Sequence, residues 1–180
     1  METEKNTELP RLDEVFDALR KGRHIAPEDA DLYFNLHNGE AAFTELFAKL
    51  GFELIKHPRG FYYFKGEVDI SDTSSRMAVF MFILVETLAD SGASAEEQIM
   101  TSLFFVDKLE HLRRERYRDI MLEAGMPTEE ELRQTLRTME RFGFLKMEGP
   151  DSFRFRAPAY RFLDLCMEIF KESEAAEEKI

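Results

Sequence analysis

Two groups of arginines are the only clustered chemistry in the chain, and the ligand such groups suit is phosphate. Between Lys108 and Arg118 the sequence sets Lys108, Arg113, Arg114, Arg116 and Arg118 against Glu110 and Glu115. This is a local basic island that could contact a nucleic-acid backbone. The same residues also read as a solvated helix face whose charges pair at i, i+4 with Glu110 and Asp119. Further on, Arg133, Arg137 and Arg141 recur every four residues and form one stripe, offset by Glu129, Glu130, Glu131 and Glu140. These seven arginines are the candidate DNA contacts.

Nothing comparable points to catalysis. Cys166 falls on the apolar stripe of a helix with no His near it in sequence, so it reads as a structural thiol rather than a nucleophile. His24, His37, His57 and His111 are scattered singly and read as turn or surface groups, with no His-x-x-x-His or Cys-x-x-Cys spacing that would hold a metal. Gly51, Gly60 and Gly66 belong to helix ends and turns, and no phosphate-cradling loop is visible. The expectation is a non-enzyme without metal or cofactor.

Charge narrows the partners. A formal net charge of -12 opposes non-specific duplex binding, which relies on basic side chains releasing counterions from phosphates. The helix expected from Gly39 to Leu50 has Lys49 as its one base, opposed by Glu40 and Glu45, so it is unsuited to a major groove. With 17 Phe and 9 Met but no Trp, the chain has ample core material and adaptable contact surface. A single Cys points to a reducing compartment, Met1 to Asn6 has no apolar signal region, and Met77 to Leu88 is too short and interrupted to cross a bilayer. A cytoplasmic protein with no membrane contact is expected.

The elements that must position these residues show a repeat. Gly51, Phe52, Pro58, Phe61 and Tyr63 recur at a constant offset as Gly143, Phe144, Pro150, Phe153 and Phe155. Each copy describes an amphipathic helix stopped by Gly, an apolar strand, a Pro-containing turn and an alternating return strand. A helix running into a short hairpin is the end of a winged helix, so the fold expected is mainly α with short β-hairpins (α+β), as tandem winged-helix domains. Leu12, Val15, Phe16 and Leu19 mark a first helix; Pro27, Glu28 and Asp29 mark the start of a second, with Leu32 and Leu36 as its stripe. Phe43, Leu46, Phe47 and Leu50 line one face of the third. The His57-Pro58-Arg59-Gly60 turn follows. After the polar connector, Met77, Phe80, Met81, Leu84, Val85 and Leu88 form one helix stripe. Ser94 with Glu97, and Thr128 with Glu131, are capping-box pairs. Leu132, Leu136 and Met139 are the buried face of the helix ending at Gly143, and Pro158 opens a terminal helix bearing Phe162, Leu163, Cys166 and Phe170. The domains expected are a flexible tail at 1–10, a first winged helix at 11–66, a linker at 67–75, a second winged helix at 76–170 and an acidic flexible tail at 171–180.

Several segments also resemble a known family. Ala18 to Ile25, reading Ala-Leu-Arg-Lys-Gly-Arg-His-Ile, then Phe52-Glu53-Leu54-Ile55 and the wing Gly60-Phe61-Tyr62-Tyr63-Phe64, are similar to the MukE-like subunits of bacterial condensins. Arg141-Phe142-Gly143, Phe153-Arg154-Phe155-Arg156 and Tyr160-Arg161-Phe162 agree as well. From Asp90 to Gly125 the chain is shorter and differently charged than the MukE pattern, which leaves open a MukE-like protein, the related MksE subunit, or the corresponding subunit of a plasmid-restricting Wadjet system.

The resemblance implies a dimer of tandem winged helices that clasps the kleisin, the linker bridging the heads of an SMC ATPase, and so meets that ATPase through the kleisin. It implies a role in chromosome condensation and segregation, a nucleoid location, and DNA contact that is weak and confined to the complex. The aromatic wing Phe61, Tyr62, Tyr63 and Phe64 is the candidate dimer surface. A tandem winged-helix transcription regulator is the rival reading from the arginine stripe.

Overall fold

The computed structural model describes residues 9–66, 71–92 and 94–166. The chain divides into two compact units, Met1–Val68 and Asp69–Ile180. It is mainly helical with short antiparallel hairpins. Apart from Leu9 and Pro10, the tails expected at 1–10 and 171–180 lie outside the described residues, as does Phe170.

In the first unit, α1 (Leu12–Arg20), α2 (Asp31–Asn38) and α3 (Glu40–Lys49) precede the hairpin of β1 (Leu54–Lys56) and β2 (Tyr62–Phe64). Leu54 pairs with Phe64, Ile55 with Tyr63 and Lys56 with Tyr62. Ile25 bridges to the other side of β2, exchanging two backbone hydrogen bonds of 2.8 and 2.9 Å with Tyr62. Thus β2 is the middle of three extended segments. Val15, Leu19, Ile25, Leu36, Phe43, Phe47 and Tyr62 form the core, which each helix reaches with residues at i, i+4 spacing or with a single Leu.

Two features differ from the sequence reading. Pro27–Asp29 is a separate 3-10 turn, and the second helix begins only at Asp31, past Ala30 with φ at 47°. The reason is Asp29, whose carboxylate accepts from the Ala26 backbone N–H at 2.9 Å and from Arg23 at 2.6 Å, closing the turn on itself. Leu50, expected on the buried face of α3, is 55% exposed because the helix ends before it and the chain turns away at Gly51.

The second unit runs α4 (Asp72–Ala89), α5 (Ala95–Thr101), β3 (Phe104–Phe105), two 3-10 turns at Val106–Lys108 and Glu110–Leu112, α6 (Glu115–Glu123), α7 (Glu129–Arg141), β4 (Leu145–Met147) and β5 (Ser152–Phe155). The chain is helical again over 160–166. Helix α4 starts at Asp72, capped by the Ser71 hydroxyl, which accepts from the Ser74 N–H, so residues 72–75 of the polar stretch are its first turn. Sheet order is β3-β5-β4, all antiparallel, again with the returning strand in the middle. The capping box at Thr128 and Glu131 is complete in both directions. Met77, Phe80, Met81, Leu84, Leu132, Leu136, Met139 and Phe153 meet in one core.

His111 is a further correction, because it lies inside this core rather than at the surface. Its ring stacks on Phe80 with centroids 4.5 Å apart, Nε2–H donates to the Phe80 carbonyl at 2.9 Å, and Nδ1 is buried without a partner. His24 is likewise buried, beside the rings of Phe61 and Tyr63.

Phe144 and Phe155 are 5% and 6% exposed. Replacing either with Ala is expected to destabilise the second unit by about 3–5 kcal/mol, since both the apolar transfer and the cavity left behind count. Urea melts of each variant against the parent measure this.

Burial lowers the His111 pKa from 6.5 to about 4. A histidine depressed in the folded state contributes stability that is fully present above its unfolded pKa and is lost as pH falls, here between about 6.5 and about 4, by at most about 3 kcal/mol. Melts from pH 7.5 to 4 should show that loss, and His111→Gln should flatten it relative to the parent.

Candidate interaction surfaces

The arginine island is bound into its own unit. Arg114 reaches Asp90 at 3.3 Å and Glu110 at 3.4 Å, Arg113 lies 3.9 Å from Glu110, and Arg116 lies 2.7 Å from Glu86. The hydrogen bond to Asp90 raises the Arg114 pKa further. Arg114 and Arg116 also sit over the buried ring of Tyr117, each 5.8 Å from its centroid. Exposed pairs of this kind contribute about 0.2–1 kcal/mol each, so they orient the island more than they stabilise it. Arg118 is exposed, with no ion pair among the described residues.

The second stripe divides in the same way. Arg133 is held by Glu129 at 2.6 Å and Asp151 at 2.7 Å, and it donates to the Pro150 carbonyl at 2.9 Å, which ties α7 to the β4–β5 turn. Arg137 pairs with Glu130 at 2.7 Å. Arg141 lies over the Phe142 ring at 5.1 Å and meets no carboxylate among the described residues. Of seven basic candidates, Arg118 and Arg141 therefore carry uncompensated charge.

The aromatic wing is placed unevenly. Phe61 and Tyr62 are fully buried, Phe61 with its ring stacked on His57 at 4.3 Å, while Tyr63 and Phe64 keep partial exposure. Phe64 completes a ring cluster with Phe52 at 4.9 Å, Phe47 at 5.0 Å and Phe16 at 6.0 Å. Only Tyr63 and Phe64 of the four can offer area to a second copy.

Around Tyr62 the structure assembles a polar network that no spacing in the sequence announces. The Tyr62 hydroxyl donates to Glu40 Oε2 at 2.7 Å and accepts from His37 Nδ1 at 2.8 Å, and Lys56 Nζ donates to the same Glu40 oxygen at 2.6 Å. The hydrogen bond from Lys56, then that from Tyr62, holds the Glu40 carboxyl below its usual range, while desolvation raises the Tyr62 pKa. The network fastens β1 and β2 to α2 and α3. The sequence sets both Glu40 and Glu45 against Lys49; the partner in the structure is Glu45 at 2.7 Å, which leaves Glu40 to the wing.

Other chemistry is sparse. Cys166 is half-buried, and burial raises its thiol pKa, so it stays protonated at neutral pH. Among the described residues no group of His, Cys, Asp or Glu could hold a metal ion, and no helix is long and apolar enough to cross a membrane.

Comparison with known proteins agrees with this picture of a folded scaffold with contact surfaces. The family model for condensin complex protein MksE matches residues 10–167. The chain is 26% identical to chromosome partition protein MukE of Shigella flexneri over 165 residues, 84% of this chain and 71% of that one. It is similar at the same identity to chromosome partition protein MukE of Escherichia coli K12, covering 68% of that protein, and of Yersinia pestis, covering 69%. With one model running through both units, the chain belongs to the MksE condensin family.

Proposed function

We propose that this chain is the non-enzymatic accessory subunit of a bacterial SMC condensin, that it forms a homodimer and binds the kleisin, and that it supports chromosome condensation and segregation in the cytoplasm at the nucleoid. The observation that carries this reading is the family match from residue 10 to residue 167, which includes both units. Each unit reads as a winged helix: a helix, a short extended segment, two helices, then a hairpin whose return strand is flanked on both sides. The ion pairs of Arg133 and Arg137 weigh against α7 as a major-groove reader, since those guanidiniums would first have to leave Glu129, Asp151 and Glu130. In a chain of net charge -12, binding energy is better drawn from apolar burial against extended kleisin segments, with the SMC ATPase reached through the kleisin.

Co-expression with a kleisin of the same condensin should give a stoichiometric complex that survives moderate salt, which screens exposed charges but leaves apolar burial intact. Light scattering should give a dimer for the chain alone. Failure to co-purify removes the reading, and a monomer at micromolar concentration removes its dimer arm.

DNA contact is assigned to the assembled complex, through Arg113, Arg114, Arg116 and Arg118, with Arg133, Arg137 and Arg141 as the second stripe. Changing the four residues of the first group to Ala should weaken duplex binding by the complex and reduce the salt slope by about one unit for each phosphate no longer neutralised. An unchanged affinity and slope across a salt series would return the island to a solvated face.

A further inference from the structure

Helices α4 and α7 of the second unit flank a cavity of about 240 Å3. Thr73 and Arg76 line it from α4 at i, i+3, and Gln134, Thr138 and Arg141 line it from α7 at i, i+4, i+7. All five carry hydrogen-bond donors, and no carboxylate is among the described residues that line it. None of the five side chains donates to another described group. Thr135, also at the wall, donates its hydroxyl to the Met126 sulfur at 3.1 Å.

The guanidinium of Arg76 stands apart from its neighbours. Arg114, Arg116, Arg133 and Arg137 each have a carboxylate within 3.5 Å, whereas Arg76 has none among the described residues. Its Nε–H is buried and meets no acceptor among the described residues. The group also lies beside Gly125, its Nη2 3.0 Å from where a Cβ on that glycine would sit. A desolvated donor without an acceptor is disfavoured, and it becomes favourable once an anion enters. Arg141 faces the same cavity with its charge equally uncompensated.

We propose that this cavity seats a single phosphate group. Two guanidiniums, two hydroxyls and an amide supply more donors than the two oxygens of a carboxylate can use, and the two positive charges match a phosphate dianion. The cavity holds roughly eight water volumes of about 30 Å3, enough for one phosphate and its nearest waters. The phosphate is either free or part of a DNA backbone, and both present the same oxygens. This site stands whether or not the chain binds a kleisin.

The test is thermal unfolding of the purified chain in inorganic phosphate against sodium chloride of equal ionic strength. Phosphate at about tenfold above its Kd should raise Tm by roughly 3 °C. Arg76→Gln and Arg141→Gln should lose that rise, and Lys146→Gln, an exposed cation on β4, should keep it. Circular dichroism without phosphate checks that each variant is folded; should Arg76→Gln not fold, Thr138→Val replaces it and should weaken phosphate binding several-fold. A short duplex distinguishes the sources. Displacement of phosphate by the duplex, with several-fold weaker duplex binding in Arg76→Gln, assigns the site to backbone phosphate; equal duplex binding by parent and variants assigns it to free phosphate. Equal Tm in phosphate and chloride, or a phosphate rise that survives in both arginine variants, overturns the proposal. Kleisin co-purification of the same variants keeps this outcome separate from the proposed function.

Discussion

Both units depend on one backbone event, the left-handed glycine that ends the last helix before each hairpin. Gly51 has φ +84° and Gly143 has φ +85°. In each case the next residue donates back across the helix end, Phe52 N–H to the Phe47 carbonyl and Phe144 N–H to the Met139 carbonyl, both at 2.9 Å. This is the six-to-one closure that satisfies the last carbonyls and reverses the chain in two residues. At Gly51 nothing lies within 4 Å of where a Cβ would be, so the glycine is required by φ and not by space. The residue after the stop is a Phe in both units, and reversal delivers it into a ring cluster. Phe52 meets Phe16 and Phe64, and Phe144 meets Phe162. The hairpin is thereby fixed against the helices before any strand pairing is counted.

From that common event the two wings are secured by partly different chemistry. In the first unit a partly buried polar network does it: Glu40 gathers Tyr62 and Lys56, and His37 completes the set, tying both strands to two helices. Charge-assisted bonds in a partly desolvated site orient more strongly than exposed ones. In the second unit the same task falls to aromatic packing and one arginine. Phe104 stacks on Phe153 at 5.5 Å, Phe155 meets both edge-on, and Arg133 holds the turn by its Pro150 carbonyl and Asp151. Both wings thus rest on ring packing, to which the first adds the network around Glu40 and the second the contacts of Arg133.

What the sequence discloses follows from the length over which each signal is repeated. Helices α1, α3, α4 and α7 each show their apolar stripe through two or more turns, and Met77 through Val85 and Leu132 through Met139 lie in the core as their spacing implies. The glycine stops and the hairpins are legible because they recur as a pair. The segment on the far side of each return strand is not, because the bridge at Ile25 contributes one residue and β3 two, too few for any alternation. Between 90 and 125 the signal is broken by two 3-10 turns, whose three-residue period disguises the buried positions Val106, Leu109 and His111. Glu40 and Lys56, sixteen residues apart, meet only because the hairpin folds back on α3. Long-range polar pairs leave no periodic trace, and the arginine ion partners Glu86 and Asp90 are invisible in the sequence for the same reason.

The distribution of those partners bears on what the acidic surface can do. A chain of net charge -12 has carboxylates to spare, and most of its arginines are drawn to them. Each such pair removes a cation from the surface field without removing it from the composition, so counting Lys and Arg overstates what a phosphate would meet. Among the described arginines that meet no carboxylate are Arg118 on the outer face of α6, Arg141 past the acidic first turn of α7, and Arg76 beside Gly125. Their positions are set by helix faces rather than by local sequence charge. An anion approaching this protein is repelled at long range and attracted only at close contact, which suits a subunit whose neighbours in a complex bring the anion to it.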